Sequence, residues 1–505
     1  MTVSGEPKQP GPEQSLTQEA VNGVAWQAIA VGANIVLRAA ILILLARTID
    51  APEFGIIAAA TVVISLAEKL SQIGVARVLV QRLTLTQEEV KSAFAISLYT
   101  GLVATVLIFM AAPLLATLLR IERLDVYIRF LAITLLVNNL ATVPAALLQR
   151  DRRFRAMGMI ELSSYVIGFG LVALPMARAG YGSWALAMAQ MAQVGSRAVV
   201  LFFMRRTAIR LWPSRKAAGE LLNVGTGYSA GQVGNFVATQ VDYLIVGRWL
   251  GVDALGFYNR AYQFLMLPTQ LFGTAVSAVL FPSVASIQDQ PERVARAYLR
   301  ALGVIAMLTL PVSGALAVLA PELIHVVLGK SWAGMTVPFQ ILITTLLFRT
   351  SYKISDAITL AMGSMYRRAW RQWIYAGAVM AGALIGTKWG IAGVSVGVGG
   401  AVVLNFLMMM HLARQVTSLG LAPIALVHLR QLGIAVLITL PVWLEVTMLR
   451  EMQLAPAGIL AAGICTAAGL GSVMWFCFRG LFGQEGAWLH QLAMERLKSV
   501  IKPKS

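Results

Sequence analysis

Charged residues are scarce in this chain of 505 residues: they make up 13% of it, against about a quarter in soluble proteins. Hydrophobic residues make up 58%, and the mean hydropathy is +0.73. Apolar runs of about twenty residues recur from end to end, each long enough to cross a ~30 Å hydrocarbon core. This composition excludes a soluble protein and predicts one that crosses a membrane many times.

Motifs of catalysis and of metal binding are also missing. The sequence contains no GxxxxGK[ST] phosphate loop, no HExxH and no paired CxxC, and its four histidines do not cluster. We therefore expect no enzyme, no metal and no cofactor. A membrane glycosyltransferase or polymerase is the enzymatic alternative. It would need a larger extramembrane segment than the longest predicted outward one, residues 321–334.

Periodicity predicts an all-α, polytopic membrane protein of about fourteen transmembrane helices. Two six-helix lobes are expected to form a parallel pseudo-twofold repeat, with two extra helices after them. In chain order the predicted parts are a disordered cytoplasmic tail, the N-lobe, a basic cytoplasmic linker, the C-lobe, the appended helices and a cytoplasmic amphipathic tail. Their bounds are residues 1–20, 21–204, 205–218, 219–412, 424–478 and 484–505.

The net charge of +18 raises the possibility of nucleic-acid binding, but the position of the basic residues argues against it. Most of them lie in short loops between apolar runs. With both termini in the cytoplasm, inward loops carry about twice as many basic residues as outward loops, as the positive-inside rule requires. We expect a multi-pass protein of the bacterial inner membrane with both termini cytoplasmic, and no nucleic-acid partner.

An internal repeat appears when the chain is shifted by 201 residues. The first predicted helix then overlays the seventh, and the segment ARTIDAPEFGII overlays GRWLGVDALGFY without a gap. A second similarity joins DRRFR to YRRAWR, in the loops after the fourth and tenth helices. The identities align Asn22 with Asn223, Asn34 with Asn235, Val36 with Val237, Arg47 with Arg248 and Gly55 with Gly256. The equivalent helices have the same orientation, so the repeat axis runs along the membrane normal.

Polar residues follow one face of several apolar helices. In the seventh helix they are spaced by four, three, four and three positions, which places them on one side. The equivalent face of the first helix is polar at three of five positions, and the second helix continues the pattern. Such faces predict a water-filled cavity between the lobes. The polar residues expected to line it are Gln27, Asn34, Thr61, Gln72, Asn138, Tyr228, Gln232, Asn235 and Thr239.

Basic side chains outnumber acidic ones near mid-span. A charge at mid-bilayer costs roughly 2.5–3.5 kcal/mol, so these groups are expected to face water. The substrate-binding cations are predicted to be Arg38, Arg260, Arg349 and Lys353. A cationic cavity predicts an anionic substrate, since guanidinium groups bind phosphate oxygens in a bidentate fork. The alternative is that the buried charges only pair with one another between helices.

Three carboxylates in the same helices are candidates for proton or cation coupling: Asp242, Glu68 and Asp356. Four aromatic residues near the predicted outward ends of helices have an aromatic-belt position as their expected role, with sugar stacking as the alternative. They are Trp249, Tyr258, Tyr262 and Trp332.

Two segments resemble a known family. GRWLGVDALGFYNRAYQFLMLPTQLF, followed by FPSVASIQ, resembles the corresponding region of Wzx-type polysaccharide and O-antigen flippases. These belong to the multidrug/oligosaccharidyl-lipid/polysaccharide (MOP) exporter superfamily. LLARTIDAPEFGIIAAATVVISLAEKLSQIGVARVLVQ is similar to the second-helix region of the same family, above all in its colanic-acid-exporter-like branch.

The resemblance implies two lobes around a cationic cavity and alternating access, with possible proton or ion coupling. The implied substrate is an undecaprenyl-diphosphate-linked oligosaccharide repeat unit, moved across the inner membrane for polysaccharide biosynthesis. A polysaccharide polymerase and a chain-length regulator are the expected protein partners. The alternative function is a cation-coupled extruder of small organic cations, because multidrug exporters share the superfamily. Such a site should be acidic and aromatic.

Overall fold

The computed structural model describes residues 34–72, 75–81, 85–151, 153–205, 212–285, 290–362 and 365–477. Throughout these residues the chain is helical and contains no β-strand, so the predicted all-α fold class is confirmed. The two predicted tails, residues 1–20 and 484–505, lie outside the described residues, as do residues 206–211 of the predicted linker. The side chains of residues 215–235 and 273–285 are likewise outside the description.

The helices of the first half, up to Met204, are α1 Asn34–Ala46, α2 Ala51–Ser71, α3 Val75–Gln81, α4 Gln87–Leu119, α5 Leu124–Arg150, α6 Phe154–Arg178 and α7 Ser183–Met204. The second half begins with the helical stretch Arg215–Ala285, which Gly251 divides into α8 (215–250) and α9 (252–285). It continues with α10 Pro291–Val318, α11 Ala320–Val327, α12 Thr336–Thr344, α13 Leu346–Ala361, α14 Met365–Gly386 and α15 Gly390–Thr417. The last two helices are α16 Leu421–Glu451 and α17 Pro456–Cys477.

Several of these helices present apolar side chains to the outside of the bundle. On α4, Met110 is 72% exposed and Leu114 is 70% exposed. Exposure of apolar side chains on this scale is unfavourable in water and favourable in lipid. By length and composition, nine helices in the described residues could cross a membrane. A tenth span is added if the bent pair Lys330–Thr344 and Leu346–Thr359 counts as one. The chain is therefore a multi-pass membrane protein, and the number of fourteen spans stays a prediction.

Three local features set the direction of the helices near the centre. Gly251 has a φ of 88°, a conformation that glycine adopts without steric cost, and it separates α8 from α9. The bent pair turns by 42° next to Thr345, whose hydroxyl donates a hydrogen bond to the carbonyl of Leu342 at 2.6 Å. Such bonds from threonine to its own helix often bend it. α6 contains a π-helical segment at Val166–Ala173, which shifts the helical register.

The two halves meet in a symmetrical contact between α2 and α9. A Cβ atom on Gly55 would lie 2.0 Å from the carbonyl oxygen of Val252, and one on Gly256 would lie 1.9 Å from the carbonyl oxygen of Ala51. The two glycines are 201 residues apart, and so are Ala51 and Val252. Gly55 contacts Val252 and Gly256 contacts Ala51, so the partner of each glycine is the repeat equivalent of the other glycine's partner. A twofold axis produces contacts of this kind. The predicted repeat register thus appears as a pseudo-twofold contact.

Further contacts close the same end of the bundle. The guanidinium of Arg47, at the end of α1, donates to the carbonyl of Val327 in the second half at 2.9 Å. The fully buried indole of Trp332 donates to the carbonyl of Ala46 at 2.6 Å. We call this end the sealed end; it comprises the α1–α2 turn, Trp332 and the glycine contact. It is the end that the charge distribution predicts to face outward.

The helices α16 and α17 pack on the second half through α10 and α11. The Arg450 guanidinium donates to both carboxylate oxygens of Glu322, at 2.7 and 2.8 Å. Gly314 in α10 allows close approach of α16, because a Cβ there would lie 2.3 Å from the hydroxyl oxygen of Thr439. These contacts fix the appended helices to one half of the molecule.

Candidate functional site

A cavity of about 640 Å³ lies between the two halves of the chain, beneath the sealed end. It is lined by α1, α2, α6 and α7 from the first half and by α8, α9 and α13 from the second. The wall includes all four cations singled out from the sequence, Arg38, Arg260, Arg349 and Lys353. Among the described residues that line it, none is an aspartate or a glutamate.

Arg349 is a buried guanidinium held by neutral groups. Only 5% of the residue is exposed, and its Nη1 donates to the hydroxyl of Tyr262 at 2.7 Å. Its Nε donates to the hydroxyl of Thr345 at 3.2 Å, and its Cζ lies 4.7 Å from the ring centroid of Tyr262. The Nη2 atom has no hydrogen-bond partner in the described structure. A buried N–H without an acceptor is costly, so this nitrogen is available to a ligand. Lys353 lies one turn further along α13 and is half-buried.

Arg260 is similarly buried, with 3% of the residue exposed. Its Nη1 donates to the side-chain oxygen of Gln263 at 2.5 Å, and its Cζ lies 3.5 Å from the ring centroid of Phe54. The Nε atom has no partner among the described atoms. In the described part of the chain neither Arg260, Arg349 nor Lys353 forms an ion pair.

Arg38 differs from the other three because a carboxylate neutralises it in part. Its Nε donates to the amide oxygen of Asn34 at 2.7 Å, and its Nη2 lies 3.2 Å from the carboxylate of Glu161. The same carboxylate lies 3.6 Å from Arg197. The Arg38 guanidinium also lies over the ring of Tyr165, 4.7 Å from its centroid. The positive charge of the cavity is therefore concentrated on the second half of the chain.

The predicted polar lining is only partly at the cavity. Thr61 and Thr239 line it, and the Thr61 hydroxyl accepts a hydrogen bond from Gln190 at 2.8 Å. Three other predicted lining residues are outside its wall: Asn34, Gln72 and Asn138. Asn34 and Gln72 form hydrogen bonds with charged side chains of their own helices. On α5 the buried amide is that of Asn139, the residue after Asn138, and it donates to the carbonyl of Leu135. Gln27 lies outside the described residues, and so do the side chains of Tyr228, Gln232 and Asn235.

The three candidate coupling carboxylates lie outside the cavity wall. Asp242 is 1% exposed and accepts a hydrogen bond from the Tyr258 hydroxyl at 2.7 Å. Glu68 accepts from the side-chain amide of Gln72 at 2.9 Å. Asp356 accepts hydrogen bonds from both Nε and Nη2 of Arg368, the latter at 2.9 Å. This contact matches the alternative in which buried charges pair with one another between helices.

The aromatic-belt interpretation is wrong for three of its four residues. Tyr258 and Trp332 are fully buried and Tyr262 is 9% exposed. Trp332 packs against Phe54 of the first half, whereas Tyr258 and Tyr262 pack against Tyr243 of the second half. Trp249 is 56% exposed, as a belt residue would be. Tyr262 instead contacts Arg349 in the cavity. The position of these residues along their helices predicted how near the rings lie to the end of the bundle. It did not predict whether the rings point into the bundle or out of it.

Sequence reasoning also missed Glu161 and Tyr165. Both lie on α6 next to Arg38, and no polar stripe marks that helix in the sequence. Tyr243 and Tyr352 also line the cavity. To identify them from the sequence, one would have had to know which helices meet. Within the described residues no group of three or more His, Cys, Asp or Glu side chains could hold a metal ion.

A bundle of apolar helices sealed at one end over a cationic cavity defines the chain as a membrane transport protein. It belongs to the family described as polysaccharide biosynthesis protein, which matches residues 44–337. The predicted membership in a family of polysaccharide exporters is confirmed at the level of this family, and the chain is a transporter rather than an enzyme.

Known proteins share the sequence or the fold. The lipopolysaccharide biosynthesis protein WzxC of Escherichia coli K12 is 27% identical over 342 residues, which cover 66% of this chain and 68% of WzxC. The lipid II flippase MurJ in an inward closed conformation has a TM-score of 0.71 at 14% identity, over 88% of this chain and 98% of MurJ. An inward-facing multidrug resistance MATE transporter of the MOP superfamily has a TM-score of 0.61 at 16% identity, over 77% of this chain and 94% of the transporter. The likeness to the two solved structures establishes the transporter fold.

Proposed function

We propose that this chain is a flippase that moves an undecaprenyl-diphosphate-linked oligosaccharide repeat unit across the bacterial inner membrane for polysaccharide biosynthesis. The observation that carries the proposal is the cavity wall, which has four cations and no carboxylate among its described residues. The biosynthetic names of WzxC and of the matched family support a polysaccharide precursor as the substrate.

The diphosphate is expected to bind the second half of the chain. Arg260 and Arg349 each have a buried nitrogen without a partner, and Lys353 adds a third charge beside them. Charge-assisted hydrogen bonds from guanidinium to phosphate are short and strong, and they gain strength where water is excluded. The glycan would occupy the rest of the lumen, where neutral polar side chains such as Thr61 and Gln190 line the first half. The prenyl tail would stay in lipid.

Alternating access supplies the movement. The N-lobe, residues 21–204, and the C-lobe, residues 219–412, would rock against each other so that the glycine contact opens, with the appended segment 424–478 moving with the C-lobe. The positive-inside pattern predicts that the sealed end faces outward and that both termini are cytoplasmic. The substrate would therefore enter from the cytoplasmic leaflet and leave towards a polysaccharide polymerase and its chain-length regulator. Of the carboxylates, Asp242 is the coupling group we propose, because its neighbour Tyr243 lines the cavity.

A multidrug extruder is the rival function within the same superfamily. An organic cation would have to enter a cavity with four positive side chains, one of which is partly neutralised by Glu161. Like charges at close range in a low dielectric repel strongly. The electrostatics of the cavity therefore disfavour this function.

Deletion of the gene in its own host separates the two. Flipping predicts that undecaprenyl-linked glycan accumulates on the cytoplasmic leaflet and that the polysaccharide is lost. Expression of the wild-type chain should restore the polysaccharide. The variant Arg349→Gln should not, whereas the matched variant Arg296→Gln, on the bundle exterior, should. Drug sensitivity with normal polysaccharide would contradict the proposal and support extrusion.

A further inference from the structure

The guanidinium of Arg260 belongs to the cavity and to the sealed end at once. It lines the cavity from α9, while its Cζ lies 3.5 Å from the ring centroid of Phe54 on α2. Phe54 is the residue before Gly55, so this contact is next to the glycine contact in the sequence of α2. The contact therefore joins the two halves of the chain at the floor of the seal. We call the contact between Arg260 and Phe54 the latch.

Two further rings, those of Trp332 and Phe257, lie beside the latch. The ring of Trp332 lies 5.6 Å from that of Phe54 and 6.0 Å from that of Phe257, centroid to centroid. The Arg260 Cζ is 5.9 Å from the Trp332 ring. Phe54 and Phe257 thus contact Trp332 from opposite halves of the chain. In the described structure the guanidinium stacks on Phe54 and makes no such contact with Phe257, which gives a natural control.

We propose that Phe54 is a positioning residue whose ring holds Arg260 in place and thereby keeps the sealed end closed. The contact is released when an anion binds the guanidinium. A cation over an aromatic face is attracted by the ring quadrupole, more strongly where water is excluded. Phosphate oxygens compete for the same group, because they form charge-assisted hydrogen bonds with nitrogens such as the unpartnered Nε.

Release of the latch would shift the balance of the two conformations. A ligand changes a conformational equilibrium only through contacts that differ between the states. The latch exists only while α2 and α9 are in contact, so its loss weakens the closed state alone. This inference rests on the proposed function for the identity of the anion, but the role of Phe54 does not.

Fluorination of the ring tests the latch without changing its shape. Fluorine withdraws the negative charge from the ring face, so mono-, di- and trifluorophenylalanine at position 54 should weaken the cation–π attraction in steps. Spin labels at Asp50→Cys and Trp249→Cys, exposed on opposite halves at the sealed end, report its opening by electron spin resonance distances. The chain would carry Cys465→Ala and Cys477→Ala and would be measured whole, in lipid nanodiscs.

The expected result is a long-distance population that grows with each fluorine at position 54, by about tenfold in the open-to-closed ratio across the series. The same series at Phe257 should leave the distances unchanged. No response at position 54, or equal responses at both positions, would overturn the latch.

Inorganic diphosphate tests the release. Its binding to the chain with unmodified Phe54, measured by calorimetry, should be accompanied by opening of the sealed end. Binding without opening would contradict release of the latch and leave the proposed site intact. Absence of binding would instead count against the proposed function, and the fluorine series would still decide the role of Phe54.

Discussion

Gly55 and Gly256 lie against each other at the pseudo-twofold axis, where a Cβ on Gly55 would come within 3.1 Å of the backbone nitrogen of Gly256. Each glycine also faces a carbonyl of the opposite helix. At these two glycines the halves therefore meet backbone against backbone. This contact leaves no room for even a methyl group.

Alanine at either glycine should therefore force the halves apart. We expect Gly55→Ala and Gly256→Ala each to weaken the closed conformation by about 1–3 kcal/mol, the usual cost of overpacking. The helical preference of alanine returns at most about 1 kcal/mol. Spin-label distances across the sealed end measure the change. The control is Gly377→Ala, where a Cβ meets nothing within 4 Å. Equal behaviour of all three variants would contradict this account of the seal.

The hydroxyl of Tyr262 holds the Arg349 guanidinium in its place in the cavity wall. Tyr262→Phe keeps the ring under the guanidinium and removes only the acceptor of the 2.7 Å bond. Hydrogen bonds to charged groups contribute about 1.5–3 kcal/mol, so affinity for a diphosphate ligand should fall by about tenfold or more. Titration of inorganic diphosphate by calorimetry checks this. Tyr99→Phe, at an exposed position, is the matched control, and an equal loss there would remove the specific role.

Exchange of the charges at Asp356 and Arg368 distinguishes pairing from coupling. If Asp356 only pairs with Arg368, Asp356→Asn should lower transport and the double variant Asp356→Arg, Arg368→Asp should restore most of it. If Asp356 carries the coupling ion, the exchanged pair should stay inactive. Polysaccharide export in the complemented deletion strain is the measurement. We expect restoration.

The pair of Arg450 with Glu322 should stabilise the attachment of α16 and α17. Arg450→Gln leaves a carboxylate that is 6% exposed without its charged partner, at a cost of about 1–3 kcal/mol. Unfolding in mixed micelles should show this loss, and Glu322→Gln in the same chain should recover part of it. A single variant as stable as the wild type would show that the pair is not needed.

Much of the architecture could be predicted from the sequence because membrane helices have a strong signal. Apolar runs and the 201-residue repeat gave the helical class and the register that Gly55 and Gly256 display. The sequence could not show that these equivalents touch, since a repeat fixes correspondence and not distance. It also could not show the bend next to Thr345.

The charged residues of the cavity could be predicted from the sequence, and the uncharged polar residues could be predicted less well. Arg260 and Arg349 stood out because an ionised group in a membrane helix must face something polar. Asn34 and Gln72 satisfy their hydrogen bonds within their own helices and have no need of the cavity. Glu161 was overlooked because it stands alone on α6, where a π-helical segment then changes the register that periodicity assumes.

Binding of undecaprenyl diphosphate to the purified chain tests the central claim most directly. The triple variant Arg260→Gln, Arg349→Gln, Lys353→Gln should bind at least about tenfold more weakly than the wild type in nanodiscs. A triple variant with the same loss of charge outside the cavity, Arg178→Gln, Arg293→Gln, Arg296→Gln, should bind as the wild type does. Undiminished binding by the cavity variant, or the same decrease in both variants, would contradict the claim that this cavity holds the lipid-linked diphosphate.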